Sequence, residues 1–389
     1  MRVSLFFLLS IVMVSLHAQS YKATHRAAIV VDTHNDFLTK VMEYGYGLDK
    51  DLRDKTHSDL TRFKRGGLDA QFFSVWSDGH QINPFAFANR QIDSLDAVIK
   101  RNPHKIVKVG TVSQLMQAVK QNKIAALIGL EGGHQIENSL ANLDALYQRG
   151  TRYMTLTWNN STDWATSAFD ETNKPAYKGK GLSDFGKEVV RHMNHIGMLV
   201  DVSHVGETTF WDVMATTSKP VIASHSSVYA LCPVPRNLKD EQIKAIAKNK
   251  GVIQINFNSG FLDPTEKSRE DVFMQSHKIE FDSLAAVTNN ENMAEEMIHD
   301  KYKEESNGLR APFSLVIEHI VYIIKLVGVD YVGIGSDFDG IVVPPQGLDD
   351  VSTYPLITKA LLEKGYSAKD INKILGGNIL RVLKANEVR

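Results

Sequence analysis

Along the chain, short apolar runs alternate with longer stretches whose apolar positions recur every three or four residues. The runs fall at residues 27–31, 70–76, 125–130, 153–158, 198–202, 221–223, 252–257 and 331–334. Their near-continuous apolar character predicts strands of a parallel sheet buried on both faces. Helical spacing is clearest at 92–99, 140–147, 185–196 and 317–327. Eight such units predict an α/β fold, a (β/α)8 TIM-like barrel. A doubly wound open sheet obeys the same alternation and remains the alternative.

One stretch breaks the rhythm. Residues 259–312 are charged, with helical patterns at 282–287 and 293–303. This predicts a helical insertion between strands seven and eight, either a lid over the barrel mouth or a surface decoration. Residues 353–383 read as two helices, with Ser367 as the N-cap of the second.

Polar residues punctuate the strand ends. His34, Asp36, Glu131, His204, His225 and Asp337 each follow an apolar run. The C-terminal ends of barrel strands converge on one face. Side chains far apart in sequence can therefore meet in one pocket.

Composition narrows the function. The 389 residues are 43% hydrophobic and 23% charged, with a formal net charge of -1. There is no basic stripe, so no nucleic-acid partner is expected. Residues 1–18 read as a signal peptide: Arg2, an apolar core at 5–16, and Ala18 before a cut near Gln19. That predicts a secreted or periplasmic protein, with residues 19–389 forming a single barrel domain. The apolar core is short for a membrane span, and no later stretch is long and apolar enough to make one. Cys232 is the only cysteine. An internal disulfide and a cysteine-rich zinc site are both excluded, so any metal must be held by His, Asp and Glu.

The strand-end residues suit that task. His34 and Asp36 stand at i and i+2, which on an extended strand points both to one side. A carboxylate such as Glu131 at the end of a buried strand is costly unless paired or ligated, and its two oxygens can bridge two ions. His204 and His225 can supply nitrogens to a second ion. Asp337 and Asp339 form another i, i+2 pair, and either could take a proton from a metal-activated water. Two ions sharing a carboxylate lower the pKa of a bridging water toward about 7, which provides hydroxide at neutral pH.

Taken together these residues resemble the membrane (renal) dipeptidase family of zinc peptidases. The matching segments are Val31-Asp32-Thr33-His34-Asn35-Asp36, Leu130-Glu131-Gly132-Gly133-His134, Val200-Asp201-Val202-Ser203-His204-Val205, Ala223-Ser224-His225-Ser226-Ser227 and Gly335-Ser336-Asp337-Phe338-Asp339-Gly340. The resemblance implies two Zn2+ per chain. His34 and Asp36 would hold one, His204 and His225 the other, and Glu131 would bridge them. It gives Asp337 the proton of the bridging water and gives Arg236 the free carboxylate of a dipeptide, a role suited to a planar guanidinium. A dipeptide substrate, tolerance of a D-residue at its C-terminal position, and a homodimer follow from the same resemblance.

Two positions depart from the family pattern. Trp158 stands where familiar members place a substrate-contacting histidine, with Asn159, Asn160 and Asp163 as possible substitutes. Asn258 stands where they place a tyrosine. Both changes touch the substrate pocket and spare the metal ligands. Other two-metal amide hydrolases, an N-acyl amino-acid deacylase or a β-lactam hydrolase, stay open, as does a non-catalytic peptide-binding barrel. The same ligands also bind manganese or cobalt.

Overall fold

A computed structural model describes residues 21–388; the signal-peptide reading at 1–18 lies outside them. Among the described residues, nine strands form one parallel sheet: β1 Val31–Asn35, β2 Ala70–Trp76, β3 Ile106–Lys108, β4 Ile124–Glu131, β5 Thr151–Thr155, β6 Leu199–Asp201, β7 Ile222–Ala223, β8 Val252–Ile255 and β9 Val332–Ile334. Eight of them run in the order β1-β2-β4-β5-β6-β7-β8-β9 and curl into a nearly closed barrel. The unforeseen ninth, β3, pairs with the start of β4, at Ile124–Ala126, below the point where β5 joins at Ile128.

Alternate residues of each strand divide the core in two. Phe72, Leu127, Tyr153 and Leu199 pack in one cluster inside the barrel, closed below by Ile379, Val382 and Leu383 of the last helix. Phe73, Ile128, Met154 and Val200 belong to the larger cluster between strands and helices. This is the period of two that a pleated strand imposes.

The first strand starts four residues later than its apolar run suggests. A helical turn occupies the chain up to residue 27, and β1 runs through Asp32, Thr33 and His34. Polar residues can form this strand because ring closure satisfies them. Asp32 accepts from the Ser336 amide at 2.9 Å, the Ser336 hydroxyl at 2.6 Å, the Tyr354 hydroxyl at 2.5 Å and the His34 amide at 3.2 Å. The Thr33 hydroxyl donates to the Ser224 carbonyl at 2.7 Å. Two backbone bonds complete the seam, Asp36 N–H to Phe338 O at 2.9 Å and Asp337 N–H to His34 O at 3.1 Å. Strands β5 and β8 end two or three residues earlier than their apolar runs, so Trp158 and Asn258 lie on loops beyond them.

The insertion is helical, with Glu266–Ser276, Lys278–Thr288 and Glu291–Lys301 as its main helices. Glu296 docks it to the barrel by accepting from Lys40 at 2.7 Å and from the Tyr44 hydroxyl at 3.0 Å. The C-terminal region holds helices Pro355–Glu363, Ala368–Asn372 and Asn378–Asn386, with a π-helical turn before the last. Ser367 caps the second of these by accepting from the Asp370 amide at 3.1 Å.

Two outcomes follow. Asp32→Ala strands three cross-seam donors and should destabilise the fold by about 3 kcal/mol in urea unfolding. Acid should also weaken it. Burial lowers His319 to about 4, and its Nδ1 accepts from the Val228 amide at 3.0 Å, which requires a neutral ring. The unfolded chain therefore binds more protons between about pH 6.5 and 4, and stability falls as pH falls through that window. His319→Gln should make that slope shallower.

Candidate active site and metal centre

The barrel mouth gathers all six strand-end residues. His34 Nε2 lies 3.1 Å from Glu131 Oε2 and 3.3 Å from Asp36 Oδ2. His204 Nε2 lies 2.9 Å from Glu131 Oε1, and His225 Nε2 lies 3.5 Å from that same oxygen. The two oxygens of Glu131 thus face different imidazoles. Asp337 Oδ1 stands 3.9 Å from His34 Nε2.

The backbone is bent to achieve this. His204 and Asp337 take φ of +64°, a left-handed conformation that costs about 1 kcal/mol or more in a non-glycine residue. Gly340 makes room: a Cβ there would sit 2.2 Å from Asp36 Oδ2 and 2.7 Å from Asp337 Oδ1.

Hydrogen bonds behind the site set the tautomers. The Tyr153 hydroxyl donates to the Thr33 carbonyl at 3.0 Å, so it accepts from His34 Nδ1–H at 2.7 Å. Ser224 donates to Asp201 at 2.5 Å and so accepts from His225 Nδ1–H at 2.8 Å. His204 Nδ1–H faces Asn159 Oδ1 at 3.2 Å. With Nδ1–H engaged on all three rings, each Nε2 faces inward and is the atom free to ligate a cation. His204 and His225 Nε2 stand 3.0 Å apart, and Asp36 Oδ1 is buried without a hydrogen-bond partner among the described residues. Acceptors packed this closely repel unless positive charge lies among them. The set of imidazole nitrogens and carboxylate oxygens fits divalent transition-metal ions.

The titration directions divide. Burial opposes charge on His34, but Tyr153, Glu131 and Asp36 outweigh it and raise that ring well above the imidazole range, so without cations the cluster draws a proton there. Burial opposes the charge on Glu131, yet His34, His204 and His225 outweigh it and hold its pKa well below the ordinary range. Burial and Arg236 lower His204 to about 4, and burial with His34 pushes His225 well down. Burial holds Asp337 well above the carboxylate range; His34 pulls against this, while Asp36 and Glu131 add to it.

A cavity of about 300 Å3 opens over this centre. Arg236, Trp158 and Asn258 all line it. Arg236 gives one nitrogen to the His225 carbonyl at 3.3 Å, its Nε is buried without a partner, and Phe261 lies 5.3 Å beneath the guanidinium. Trp158 stands edge-on to Trp76 at 5.1 Å. Asn258 caps a helical turn by accepting from the Gly260 amide at 2.8 Å. Of the residues near Trp158, Asn159 reaches the cavity, whereas Asp163 accepts from Asn138 at 2.8 Å. Structure also separates the acidic pair. Asp337 faces His34, while Asp339 turns back to accept from the His57 amide at 2.5 Å.

Several participants carry no sequence signal. Tyr153 is hidden in an apolar strand, and Gly129 opposite it leaves space that a Cβ would close to 2.0 Å. Asn256 donates to Asp337 Oδ2 at 2.8 Å; its only clue is its place just after β8. Lys40, Glu43 and, from the insertion, Asn292, Glu295 and Glu296 join the cavity wall.

The sequence profile of the membrane dipeptidases, peptidase family M19, matches residues 18–389. The chain belongs to this family. The enzyme is accordingly a metal-dependent dipeptidase. It is 33% identical to an uncharacterized dipeptidase of Schizosaccharomyces pombe over 96% of this chain and 84% of the relative. Among solved structures, the probable dipeptidase PvdM from Pseudomonas aeruginosa superposes with a TM-score of 0.79 at 25% identity, covering 96% of this chain and 98% of the other. A metallopeptidase from Rhodobacter sphaeroides, bound to a phosphinate mimic of L-Ala-D-Ala, shares the fold. Its TM-score is 0.75 at 22% identity, covering 92% of this chain and all of that one.

The tautomer network predicts a phenotype for Tyr153→Phe. Losing the acceptor behind His34 should cut dipeptidase activity or metal affinity about 10- to 100-fold, with the far-ultraviolet circular dichroism unchanged.

Proposed function

We propose that the enzyme hydrolyses dipeptides with a free C-terminal carboxylate, using two zinc ions held by His34, Asp36, Glu131, His204 and His225. The observation that carries this reading is the division of Glu131, one oxygen toward His34 and the other toward His204 and His225, as a bridging carboxylate requires. Bound there, the ion pair lowers the pKa of water toward about 7 and polarises the scissile carbonyl.

The chain's own groups do the rest. Arg236 takes the substrate carboxylate with the donors it has left over, and Phe261 keeps the guanidinium oriented. Asp337 accepts the proton of the attacking water and returns it to the leaving amine. Asn256 holds Asp337 in place by donating to its Oδ2 at 2.8 Å. Trp158 and Trp76 form an apolar wall that keeps solvent from one side of the cavity. The Rhodobacter relative's ligand supports acceptance of a D-residue at the C-terminal position.

The test is a panel of L-Ala-L-Ala, L-Ala-D-Ala and their C-terminal amides, with wild-type enzyme and Arg236→Ala. Both free dipeptides should be cleaved, chelator should abolish turnover, and zinc should restore it. Arg236→Ala should lower kcat/KM about 100-fold, mostly through KM, as loss of a charge-assisted carboxylate contact implies. Equal turnover of amides and free dipeptides would overturn the carboxylate assignment.

A further inference from the structure

Two helices of the insertion face one another with matched pairs of ligand-type residues. Glu266 and Glu270 stand at i and i+4 on helix Glu266–Ser276. Glu295 and His299 have the same spacing on helix Glu291–Lys301, so each pair shares one helical face. One ligand atom from each of Glu270, Glu295 and His299 lies within 4.8 Å of the others.

The local chemistry calls for positive charge. His299 is buried; its Nδ1 sits 2.8 Å from the Ser306 hydroxyl and its Nε2 sits 3.1 Å from Glu270 Oε1. Both ring nitrogens thus have polar neighbours, and with the proton on Nδ1 the ring presents its Nε2 lone pair beside Glu270 as a ligand. Glu270 Oε2 is buried with no hydrogen-bond partner among the described residues. Glu266 is only 5% exposed, and its carboxylate makes no hydrogen bond or ion pair among the described residues. It lines the same cavity, about 240 Å3, as Glu270 and Glu295. Burial and the charge of Glu270 raise it to about 7. The nearest cations make their ion pairs with other carboxylates, Lys267 with Asp271 at 2.6 Å and Arg269 with Asp263 at 3.0 Å. Three carboxylates thus confront a single imidazole.

We propose that Glu270, Glu295 and His299, with Glu266 beside them, form a further divalent transition-metal site inside the insertion. One imidazole nitrogen and several carboxylate oxygens are an ordinary donor set for such an ion, and Ser306 fixes the ring as an outer partner does in known sites. The ion would tie helix Glu266–Ser276 to helix Glu291–Lys301. The latter also contributes Asn292, Glu295 and Glu296 to the substrate cavity, so the site would fix one wall of that cavity without touching the barrel ligands. This inference is independent of the zinc and dipeptide assignments above.

Zinc chloride is the probe. After dialysis of the full chain, wild-type protein should retain one more equivalent of zinc than either Glu270→Gln or His299→Gln, measured by plasma mass spectrometry. Zinc should also raise the melting temperature of wild type more than that of either variant. Anomalous diffraction at the zinc edge from wild-type crystals should show a peak about 2.0–2.2 Å from His299 Nε2 and from a Glu270 oxygen; this measurement decides the matter if a variant does not fold. Equal zinc content in wild type and Glu270→Gln, or no peak at this position, would overturn the proposal in favour of a protonated His299 paired with Glu270.

Discussion

A parallel barrel has to return to its first strand, and here one buried carboxylate gathers most of the side-chain bonds across the seam. Asp32 on β1 gathers an amide and a hydroxyl from Ser336 and a hydroxyl from Tyr354. A buried carboxylate accepting four bonds is far less costly than a bare one. The seam also sets the register of the site. His34 and Asp36 follow Asp32 by two and four residues, and Asp337 follows Ser336 by one, so the bonds that close the ring also bring these three side chains together.

Asp201 repeats the device across the barrel. It accepts from the Ser203 and Ser224 amides at 3.0 and 2.8 Å and from the Thr155 hydroxyl at 2.5 Å. It thereby ties the ends of β5, β6 and β7 just below His204 and His225. Between the two aspartates, the mouth becomes a rigid ring of acceptors. Its inner nitrogens are the ones free to ligate because the outer nitrogens of the histidines are already engaged by Asn159, Ser224 and Tyr153. Such preorganisation leaves little ordering to be done when cations bind.

The insertion has a different character. Glu296 anchors it to Lys40 and Tyr44, but its middle helix, Lys278–Thr288, has no buried residue, and Ile279 and Val287 stand exposed. The wall it supplies to the cavity is charged and lies above the reacting centre, while the floor is built from strand ends. Chemistry and substrate fit can therefore vary separately, as is common where loops decorate a barrel.

The residues alone determined the strand–helix alternation, because period-two and period-3.6 burial leave direct marks on hydropathy. They also marked the six strand-end ligand types, since polar residues after apolar runs are conspicuous. The start of β1 was not legible, because its polar residues become tolerable only once β9 arrives to satisfy them. Strand β3 was too short to leave a pattern. Tyr153 looked like core until its hydroxyl met His34, and Asn256 lay within the apolar run 252–257 with nothing to mark it until it met Asp337. The choice of Asp337 over Asp339 depended on which way a left-handed turn aimed each carboxylate. Spacing along a chain reports which faces are buried. Which buried atoms meet across hundreds of residues is decided by closure of the ring.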